Sequence, residues 1–226
     1  MLEIKNLQVA YGGKPVLKNL NLSLENGKVH GLVGLNGAGK TTFLNTLFGF
    51  VKAQSGQIIY DGAPLQREQV GFLETNPAFY RNLTGREFLR LYQNDHFKTD
   101  AWEDLLQVPL DMLIDHYSTG MQKKLALMAL LKQNRPILLL DEPYNGLDLE
   151  AAHRLQEILK RLRLQGKTML FTSHILESLL PVCDYIHHLD DGIIAATYAP
   201  AQFDQFSENL RAQLQLGLDD ALDGLT

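Results

Sequence analysis

Alternating apolar and polar positions dominate the first 33 residues and predict β-strands. Leu2, Ile4 and Leu7 begin the first strand, and VLKNLNLSLENGKVHGLVG continues the alternation through a turn at Asn26-Gly27. The segment GQIIYDG predicts another short strand that is followed by a turn. We therefore expect an antiparallel group of strands in the N-terminal part of the chain.

Helices and buried strands alternate in the rest of the chain. The apolar run ILLLD, at residues 137–141, is typical of a strand buried on both faces of a parallel sheet, and TMLFTS has the same character. Two further strands are predicted at 185–189 and 193–197. Predicted helices span about 39–49, a stretch from Thr119 to before Pro136, and 150–165. The pattern predicts an α/β protein with a mostly parallel sheet.

Two regions have helical patterns with less definite boundaries. Residues 75–133 are mostly helical in pattern. Beyond residue 200, helical spacing of apolar residues predicts a helix that packs on the domain or on another protomer, with a frayed acidic tail as the equal alternative. The apolar residues of that tail are Phe203, Phe206, Leu210 and Leu214.

Length, charge and cysteine content narrow the classes of function. The 226 residues suffice for one large domain, with or without a subdomain. A net charge of −5 argues against nucleic-acid binding, and we expect no nucleic-acid partner. No apolar run approaches the roughly 20 residues that a membrane helix needs, and no signal peptide is expected. The single cysteine, Cys183, permits no internal disulfide and is expected to be a small buried residue.

The segment GLNGAGKT fits the phosphate-binding pattern G-x-x-x-x-G-K-[ST] in full. Its glycines let backbone amides point inward, Lys40 reaches β- and γ-phosphates, and Thr41 offers a hydroxyl to Mg²⁺. A strand precedes the segment and a helix follows it, which disfavours a glycine-rich turn with a chance lysine. The predicted nucleotide-binding residues here are Gly34, Asn36, Gly37, Ala38, Gly39, Lys40, Thr41 and Thr42.

A second anchor for the metal ion follows the buried strand ILLLD. Asp141 ends that strand, at the edge where parallel sheets place ligand chemistry, and is predicted to hold Mg²⁺. Glu142 is the candidate catalytic residue that polarises the attacking water. A solvated strand end is the alternative for this acidic pair, and the complete phosphate loop makes it the weaker one.

The order of GLNGAGKT, YSTGMQ, LLLDEP, NGLD and TSH resembles the ATP-binding subunit of an ABC transporter. The resemblance covers about residues 2–197 and is greatest to subunits of bacterial ABC-2-type exporters. It implies a P-loop NTPase core with an N-terminal antiparallel β subdomain and a short helical subdomain. The implied boundaries are an ABC ATPase domain at 1–200, with the helical subdomain at about 76–133, and a C-terminal helical or frayed tail at 201–226.

The resemblance also implies further site residues. The sequence STGMQ stands where the family has its LSGGQ signature, so two subunits would pair head to tail. Ser118 and Gly120 would then cap the γ-phosphate held by the other subunit, and Asp148 would lie at their interface. Tyr11 would stack on adenine, and His174 would contact γ-phosphate as a catalytic residue. From the residues alone, a capped surface helix and an edge-strand aromatic remain open alternatives.

Several positions depart from the family pattern. Thr119 and Met121 replace a glycine and a glutamine of the signature, and the spacing of Thr119 and Gln122 suggests a capping box at the helix start. Thr75 stands where the family has a glutamine that senses Mg²⁺, so its hydroxyl becomes a candidate metal ligand. Glu74 beside it is a possible substitute or a solvated acid.

The region that resembles the docking site for membrane subunits is shorter than usual. Its aromatic residues are candidates for lining a docking groove, and packing within the helices is an equal alternative for each. These residues are Phe79, Tyr80, Phe88 and Tyr92.

These observations predict a subunit that binds and hydrolyses ATP with Mg²⁺ and powers a separate transmembrane partner of an ABC exporter. Its expected partners are permease subunits on a separate chain and a second ATPase subunit, identical or paired. Its expected location is the cytoplasmic face of a bacterial cell membrane. The alternative is a soluble ABC ATPase that acts as an ATP-driven clamp in assembly or maturation. A third class, a regulatory module without turnover, is disfavoured by the presence of Glu142 and His174.

Overall fold

Two β-sheets and seven α-helices build the protein in the computed structural model, which describes residues 1–173 and 176–211. The strands are β1 (Leu2–Tyr11), β2 (Lys14–Leu24), β3 (Val29–Val33), β4 (Ser55–Tyr60), β5 (Ala63–Pro64), β6 (Val70–Leu73), β7 (Ile137–Leu140), β8 (Thr168–Thr172), β9 (Tyr185–Asp190) and β10 (Ile193–Tyr198). The α-helices are α1 (Lys40–Phe48), α2 (Gly85–Arg90), α3 (Thr99–Leu106), α4 (Thr119–Lys132), α5 (Leu149–Leu164), α6 (Leu176–Leu179) and α7 (203–211).

The larger sheet has six strands in the order β10-β9-β3-β8-β7-β6. Its inner pairs are parallel, and only β10 runs antiparallel to its neighbour β9. The β9–β10 turn has positive φ angles at Asp191 (42°) and Gly192 (81°), the backbone that an Asp-Gly hairpin favours. The prediction of an α/β protein with a mostly parallel sheet is confirmed.

The smaller sheet is antiparallel, with four strands in the order β2-β1-β4-β5. It contains the two long strands that the N-terminal alternation predicted, so the expected antiparallel group is present. The next strand, β3, leaves this group and enters the middle of the six-stranded sheet. The polypeptide therefore passes from the antiparallel sheet directly into the strand that leads to the phosphate loop.

The six-stranded sheet separates two hydrophobic cores. Successive side chains of a strand point to opposite faces, and β7 shows this directly. Ile137 and Leu139 pack with α1 and the antiparallel sheet, whereas Leu138 and Leu140 pack with α4 and α5. All four residues of β7 are buried, as the apolar run ILLL predicted. The sheet thus fixes α1 and α4 on opposite sides of the strand that ends at Asp141.

The region at 75–133 is less helical than its pattern predicted. Only α2, α3 and α4 form there, with loops and short turns between them. Pro77 lies in the loop before α2, and Pro109 lies between α3 and α4. A proline cannot donate the backbone hydrogen bond that a helix interior requires. The boundaries of a helical subdomain at about 76–133 remain a prediction.

The four aromatic residues of this region differ in exposure. Phe88 is buried and Phe79 is partly buried, with their rings 5.0 Å apart, and Tyr92 packs against Phe88 at 5.7 Å. Tyr80 is 68% exposed. For Phe79 and Phe88 the structure therefore supports the alternative of packing within the core, and docking by Tyr80 and Tyr92 stays a prediction.

The described part of the C-terminal tail packs back on the domain. Phe203 and Phe206 of α7 are buried, and the Phe206 ring stacks on Tyr198 with centroids 4.5 Å apart. Leu210 packs against the same core, while Leu214 and the rest of 212–226 lie outside the described residues. Of the alternatives for this tail, packing on the domain holds for 203–211.

The single cysteine occupies a buried position, as expected. Cys183 is 7% exposed, and its sulfur would lie 3.0 Å from a Cβ at Gly31 of β3. Burial raises the pKa of its thiol well above the usual value. Within residues 1–173 and 176–211, we find no helix that is both long and apolar enough to cross a membrane.

Candidate functional site

The loop between β3 and α1 requires glycine at two positions. A Cβ at Gly34 would lie 2.2 Å from the carbonyl oxygen of Leu189, which leaves no room for a side chain. Gly39, at the N-cap of α1, has φ 109° and would bring a Cβ within 2.9 Å of Leu17. Because Gly39 has no side chain to cap the first turn, the backbone amides there remain available to an anion.

Lys40 is held inside this loop. Its side chain is 7% exposed, and Nζ donates hydrogen bonds to the carbonyl oxygens of Gly34 (2.7 Å) and Leu35 (3.2 Å). Burial lowers the pKa of Lys40, and the carboxylates of Glu142 and Asp141 oppose that shift. The ammonium is therefore fixed within the curve of the loop, where a phosphate group can replace the carbonyls as its partner.

Three hydroxyl groups converge on the carboxylate of Asp141, which is 3% exposed. Thr41 and Thr75 donate to Oδ2 at 3.1 and 2.8 Å, and Thr172 donates to Oδ1 at 2.7 Å. The register of β6, β7 and β8 brings these residues together, since Leu140 pairs with both Leu73 and Phe171. These side chains form a cluster of hard oxygen atoms of the kind that Mg²⁺ prefers.

Glu142 has an unusual backbone conformation directly after Asp141. Its φ of 49° is in the left-handed region, which a residue with a Cβ rarely adopts. Its amide donates to the hydroxyl of Thr172 at 2.9 Å, and its carbonyl oxygen accepts from Lys123 Nζ at 2.6 Å. Two neighbouring elements, β8 and α4, thus fix the backbone of Glu142.

Lys40, Thr41, Thr75 and Glu142 line a cleft of about 360 Å³, which we call the P-loop cleft. Asp141 is not in this lining and is joined to it through its hydrogen bonds with Thr41 and Thr75. The lining residues of the cleft are Val16, Asn36, Gly37, Gly39, Lys40, Thr41, Thr42, Thr75, Glu142 and Asn145. Eight of these are residues that the sequence predicted. Gly34 and Ala38 lie in the loop behind the lining, where Gly34 packs against β9 and Ala38 is buried.

Sequence reasoning did not single out two residues of the lining. Asn145 lies in NGLD, a motif from which only Asp148 was predicted to act. Val16 belongs to the apolar pattern of β2 and carries no chemical signal of its own. The lining described here does not include Tyr11, which is 50% exposed at the end of β1.

The signature residues begin α4, away from the P-loop cleft. Ser118 is the N-cap, and its hydroxyl accepts a hydrogen bond from the amide of Met121 at 3.3 Å. The capping box suggested by Thr119 and Gln122 is wrong, because the cap lies one residue earlier. Ser118 accepts the amide itself, and Thr119 is already helical. A Cβ at Gly120 would lie 3.2 Å from the carbonyl oxygen of Gly146, so α4 begins against that turn.

Asp148 caps the following helix, α5. Its carboxylate accepts a hydrogen bond from the amide of Ala151 at 2.7 Å, and this bond holds the pKa of Asp148 below its usual value. The side chain is exposed and is not part of the described lining of the P-loop cleft. His174, the predicted γ-phosphate contact, lies outside the described residues.

Comparison with known proteins shows the family to which this chain belongs. A family model described as "ABC transporter" matches residues 17–145. This chain belongs to the ABC transporter family. Members of this family bind and hydrolyse ATP, so the chain is an ATP-binding subunit and an ATPase, as its sequence predicted. Its P-loop NTPase fold also agrees with the prediction.

Two relatives and one solved structure illustrate the relationship. The lantibiotic transport ATP-binding protein SrtF of Streptococcus pyogenes is 32% identical over 203 residues, covering 86% of this chain and 89% of SrtF. The Nod factor export ATP-binding protein I of Burkholderia orbicola is 32% identical over 215 residues, covering 88% of this chain and 71% of that protein. A solved ATP-binding subunit of an ABC transporter superposes with a TM-score of 0.84 at 27% identity, covering 95% of this chain and 99% of the other.

A second cleft of about 350 Å³, which we call the aromatic cleft, lies outside the P-loop cleft of this ABC subunit. Its lining includes Phe48, Phe50, Arg67, Phe72 and Tyr92. The Arg67 guanidinium lies 4.8 Å from the centre of the Phe48 ring and 5.4 Å from that of Phe50, within the range of cation–π attraction. Of the four aromatics proposed from the sequence for docking, only Tyr92 lines this cleft.

A larger cavity, of about 460 Å³, lies between α3, α4 and the end of α5. Phe97 and Trp102 stack beside it with centroids 5.8 Å apart. None of the predicted nucleotide-binding residues is in its described lining. The predicted nucleotide-binding residues instead line the smaller P-loop cleft, which makes it the candidate site.

Proposed function

We propose that this chain is the ATP-hydrolysing subunit of an exporter whose cargo path lies in separate membrane-spanning subunits. The observation that carries the proposal is the convergence of Lys40, Thr41 and Glu142 on one cleft. The buried carboxylate of Asp141 is joined to that cleft through the hydroxyls of Thr41 and Thr75. The names of the two relatives, a lantibiotic transport protein and a Nod factor export protein, support the exporter class.

In this proposal the P-loop cleft holds the phosphates of ATP. The phosphates take the place of the Gly34 and Leu35 carbonyls as partners of Lys40, and the open amides after Gly39 add the favourable end of the α1 dipole. Tyr11, exposed at the end of β1, provides a flat ring on which adenine stacks.

The oxygen atoms around Asp141 fit Mg²⁺. Thr41, Thr75 and the Asp141 carboxylate supply hard oxygen donors next to the phosphate loop, and Mg²⁺ usually combines one or two carboxylates with water and phosphate oxygens. When bound, the ion offsets the negative charge that develops during phosphoryl transfer. Thr172 does not need to touch the ion, because its hydroxyl orients the Asp141 carboxylate from the other oxygen.

Glu142 is proposed as the residue that orients the attacking water and accepts its proton. The two hydrogen bonds to its backbone fix the point from which its side chain leaves the chain. The family resemblance assigns His174 to the γ-phosphate.

We further propose that two subunits pair head to tail. Within the described residues, Ser118, Gly120 and Asp148 do not line the cleft of their own chain, although the family pattern assigns them to nucleotide and interface contacts. Pairing with a second copy, or with a related ATPase subunit, would reconcile these positions with the assigned roles. In such a pair the start of α4 from one subunit faces the phosphates of the other. The exposed amides of that helix turn suit an anion.

The aromatic cleft is the proposed docking site for the membrane subunits. Phe50 is 51% exposed and Arg67 lies beside it, a combination that is enriched at the centres of protein interfaces. A cytoplasmic segment with an exposed apolar side chain would complement the rings of this lining, in which Arg67 and Arg135 are balanced by Glu68 and Glu74. Docking there places the chain at the cytoplasmic face of a bacterial cell membrane.

Co-purification from detergent-solubilised membranes tests the proposal. We expect a multi-helix membrane protein in stoichiometric amount, together with Mg²⁺-dependent ATP hydrolysis. Recovery of an active ATPase solely from the soluble fraction, bound to cytosolic partners, would overturn the exporter assignment in favour of a soluble ATP-driven clamp.

A further inference from the structure

Lys123 is a buried cation that the proposed chemistry does not use. It lies on α4, five residues after Ser118, and is 4% exposed. An ammonium group is costly to bury unless it is paired or fully hydrogen-bonded. Burial lowers the pKa of Lys123, and the charges of Glu142 and Asp141 oppose that shift. The location of such a group beside the P-loop cleft calls for a specific role.

The ammonium of Lys123 binds the backbone next to the proposed catalytic residue. Nζ donates to the carbonyl oxygen of Glu142 at 2.6 Å and to that of Asn145 at 3.1 Å. These two carbonyls bracket the turn that joins β7 to α5, and both residues line the P-loop cleft. A single ammonium group on α4 therefore binds both ends of this turn and holds them together.

The backbone that Lys123 holds is strained. Glu142 has a positive φ of 49°, a conformation that is unfavourable for a residue with a Cβ and persists only where its surroundings enforce it. Thr172 enforces it from β8 through the Glu142 amide, and Lys123 enforces it from α4 through the carbonyl. Loss of either contact removes one of the two restraints on this backbone.

The same helix contacts the turn at a second point. A Cβ at Gly120 would lie only 3.2 Å from the carbonyl oxygen of Gly146, so the first turn of α4 lies directly against the turn held by Lys123. A shift of the α4 N-terminus therefore presses on the segment 142–146. Lys123 and Gly120 are separated by less than one helical turn, so they move together.

We propose that Lys123 is a positioning residue that couples the signature turn at Ser118–Gly120 to the side chain of Glu142. The inference rests on the proposed function of these two sites. When the signature turn of one subunit captures the phosphate of its partner, the position of α4 changes, and Lys123 carries that change to Glu142 of its own cleft. Hydrolysis in the two clefts is thereby made cooperative.

The test replaces Lys123 with Met, which keeps a long apolar stem and removes all three donors. We expect kcat for ATP hydrolysis to fall by about 10- to 100-fold, while the Kd for a fluorescent ATP analogue changes less than about twofold. The Hill coefficient for ATP should fall to 1. Lys123→Arg, which retains donors, should recover a substantial part of both kcat and cooperativity.

A purely structural role gives a different result. If Lys123 only fills space, Lys123→Met alters the unfolding temperature and leaves kcat and the Hill coefficient unchanged, which would overturn the proposal. Lys132→Met, a change of the same charge at the end of the same helix, should leave all three quantities near their original values. Should Lys123→Met not fold, Lys123→Gln, with a shorter amide donor, is measured in the same way.

Glu142→Gln separates this inference from the function on which it rests. If Glu142→Gln abolishes hydrolysis and Lys123→Met does not impair it, the coupling fails and the proposed role of Glu142 survives. If Glu142→Gln hydrolyses ATP at the normal rate, both the catalytic role of Glu142 and the coupling through Lys123 are wrong. Loss of kcat in both variants, with cooperativity lost in Lys123→Met and recovered in Lys123→Arg, supports the coupling.

Discussion

Nδ1 of His30 lies 3.0 Å from Nε2 of His187, and both imidazoles are 1% exposed. The other nitrogen of His30 is 3.2 Å from the carbonyl oxygen of Glu25, which can only accept, so that nitrogen carries the hydrogen. In the neutral pair, His187 Nε2 therefore donates to His30 Nδ1, and the Thr197 hydroxyl donates to His187 Nδ1. One arrangement of hydrogens satisfies all four ring nitrogens without a charge.

This pair predicts a loss of stability in mild acid. Burial lowers the pKa of both imidazoles below the usual 6.5, and that of His187 to about 3. The unfolded chain binds more protons than the folded protein below pH 6.5, so the free energy of unfolding should decrease as the pH falls toward 3. Each histidine contributes at most about 1.4 kcal/mol per pH unit. Urea unfolding at pH 7, 6 and 5 measures the slope.

Two variants test the assignment of this slope to the buried pair. His187→Gln should lower stability at pH 7 and flatten its pH dependence. His153→Gln, an exposed position on α5, should change neither. An unchanged slope in His187→Gln would assign the acid sensitivity to other groups.

Glu142→Gln should lower the rate of ATP hydrolysis at least about 100-fold, because the amide cannot accept a proton from water. ATP binding should persist, and the proposed dimer should accumulate in ATP, as size-exclusion chromatography would show. Glu157→Gln, an exposed carboxylate on α5, is the matched control. Normal turnover in Glu142→Gln would remove this residue from the mechanism.

Thr75→Val should raise the Mg²⁺ concentration needed for half-maximal hydrolysis by about three- to tenfold. The variant loses the hydroxyl that lies 2.8 Å from Asp141 Oδ2 and retains a side chain of similar shape. Thr75→Ser retains the hydroxyl and should behave like the original protein. A Mg²⁺ titration of phosphate release distinguishes the two, and equal curves would mean that Thr75 has no role at the ion.

Arg86→Ala should loosen the packing of α2 and α3. Arg86 is paired with Asp100, Glu103 and Asp111, with N–O distances of 2.7–2.9 Å. We expect the thermal unfolding midpoint to fall by about 3 °C at low salt and by less in 1 M NaCl, because salt screens exposed charges. Arg81→Ala, an exposed loop position, is the control, and an equal effect of both would assign no special role to the Arg86 network.

Phe50→Ser should abolish co-purification of the membrane subunit and leave ATP hydrolysis by the separate chain unchanged. The ring is half exposed in the aromatic cleft and lies outside the P-loop cleft. Leu164→Ser, which removes an apolar side chain that is 88% exposed at the end of α5, is the control. Retention of the membrane subunit by Phe50→Ser would exclude this cleft as the docking site.

Local sequence patterns predicted the elements of the fold and much of the P-loop cleft. The apolar run of β7, the Asp-Gly turn before β10 and the phosphate loop each carry their information within a few residues. The same holds for Asp141, whose place at the end of a buried strand was evident from the sequence. Such features depend on periodicity, turn geometry and a contiguous motif.

Contacts between segments that are distant in the sequence could not be predicted from local patterns. The hydroxyl of Thr172 reaches Asp141 because β7 and β8 are neighbours in one register, although 31 positions separate the two residues. No sequence pattern distinguishes Lys123 from the adjacent Lys124, and its burial depends on how α4 packs against the turn after Glu142. The pairing of His30 with His187 likewise arises from the adjacency of β3 and β9.

Because Cys183 is buried, alkylation of its thiol can report transient opening of the core. The thiol is shielded beneath β3, and no second cysteine competes for a reagent. In the native state a buried thiol is alkylated chiefly in molecules whose core has transiently opened. The labelling rate therefore reports the population of the open form when reclosing is fast, and the opening rate when alkylation outpaces reclosing. A cysteine introduced at the exposed turn before α5 would react much faster than Cys183. Cross-linking between two subunits through that cysteine could then be measured without interference from Cys183.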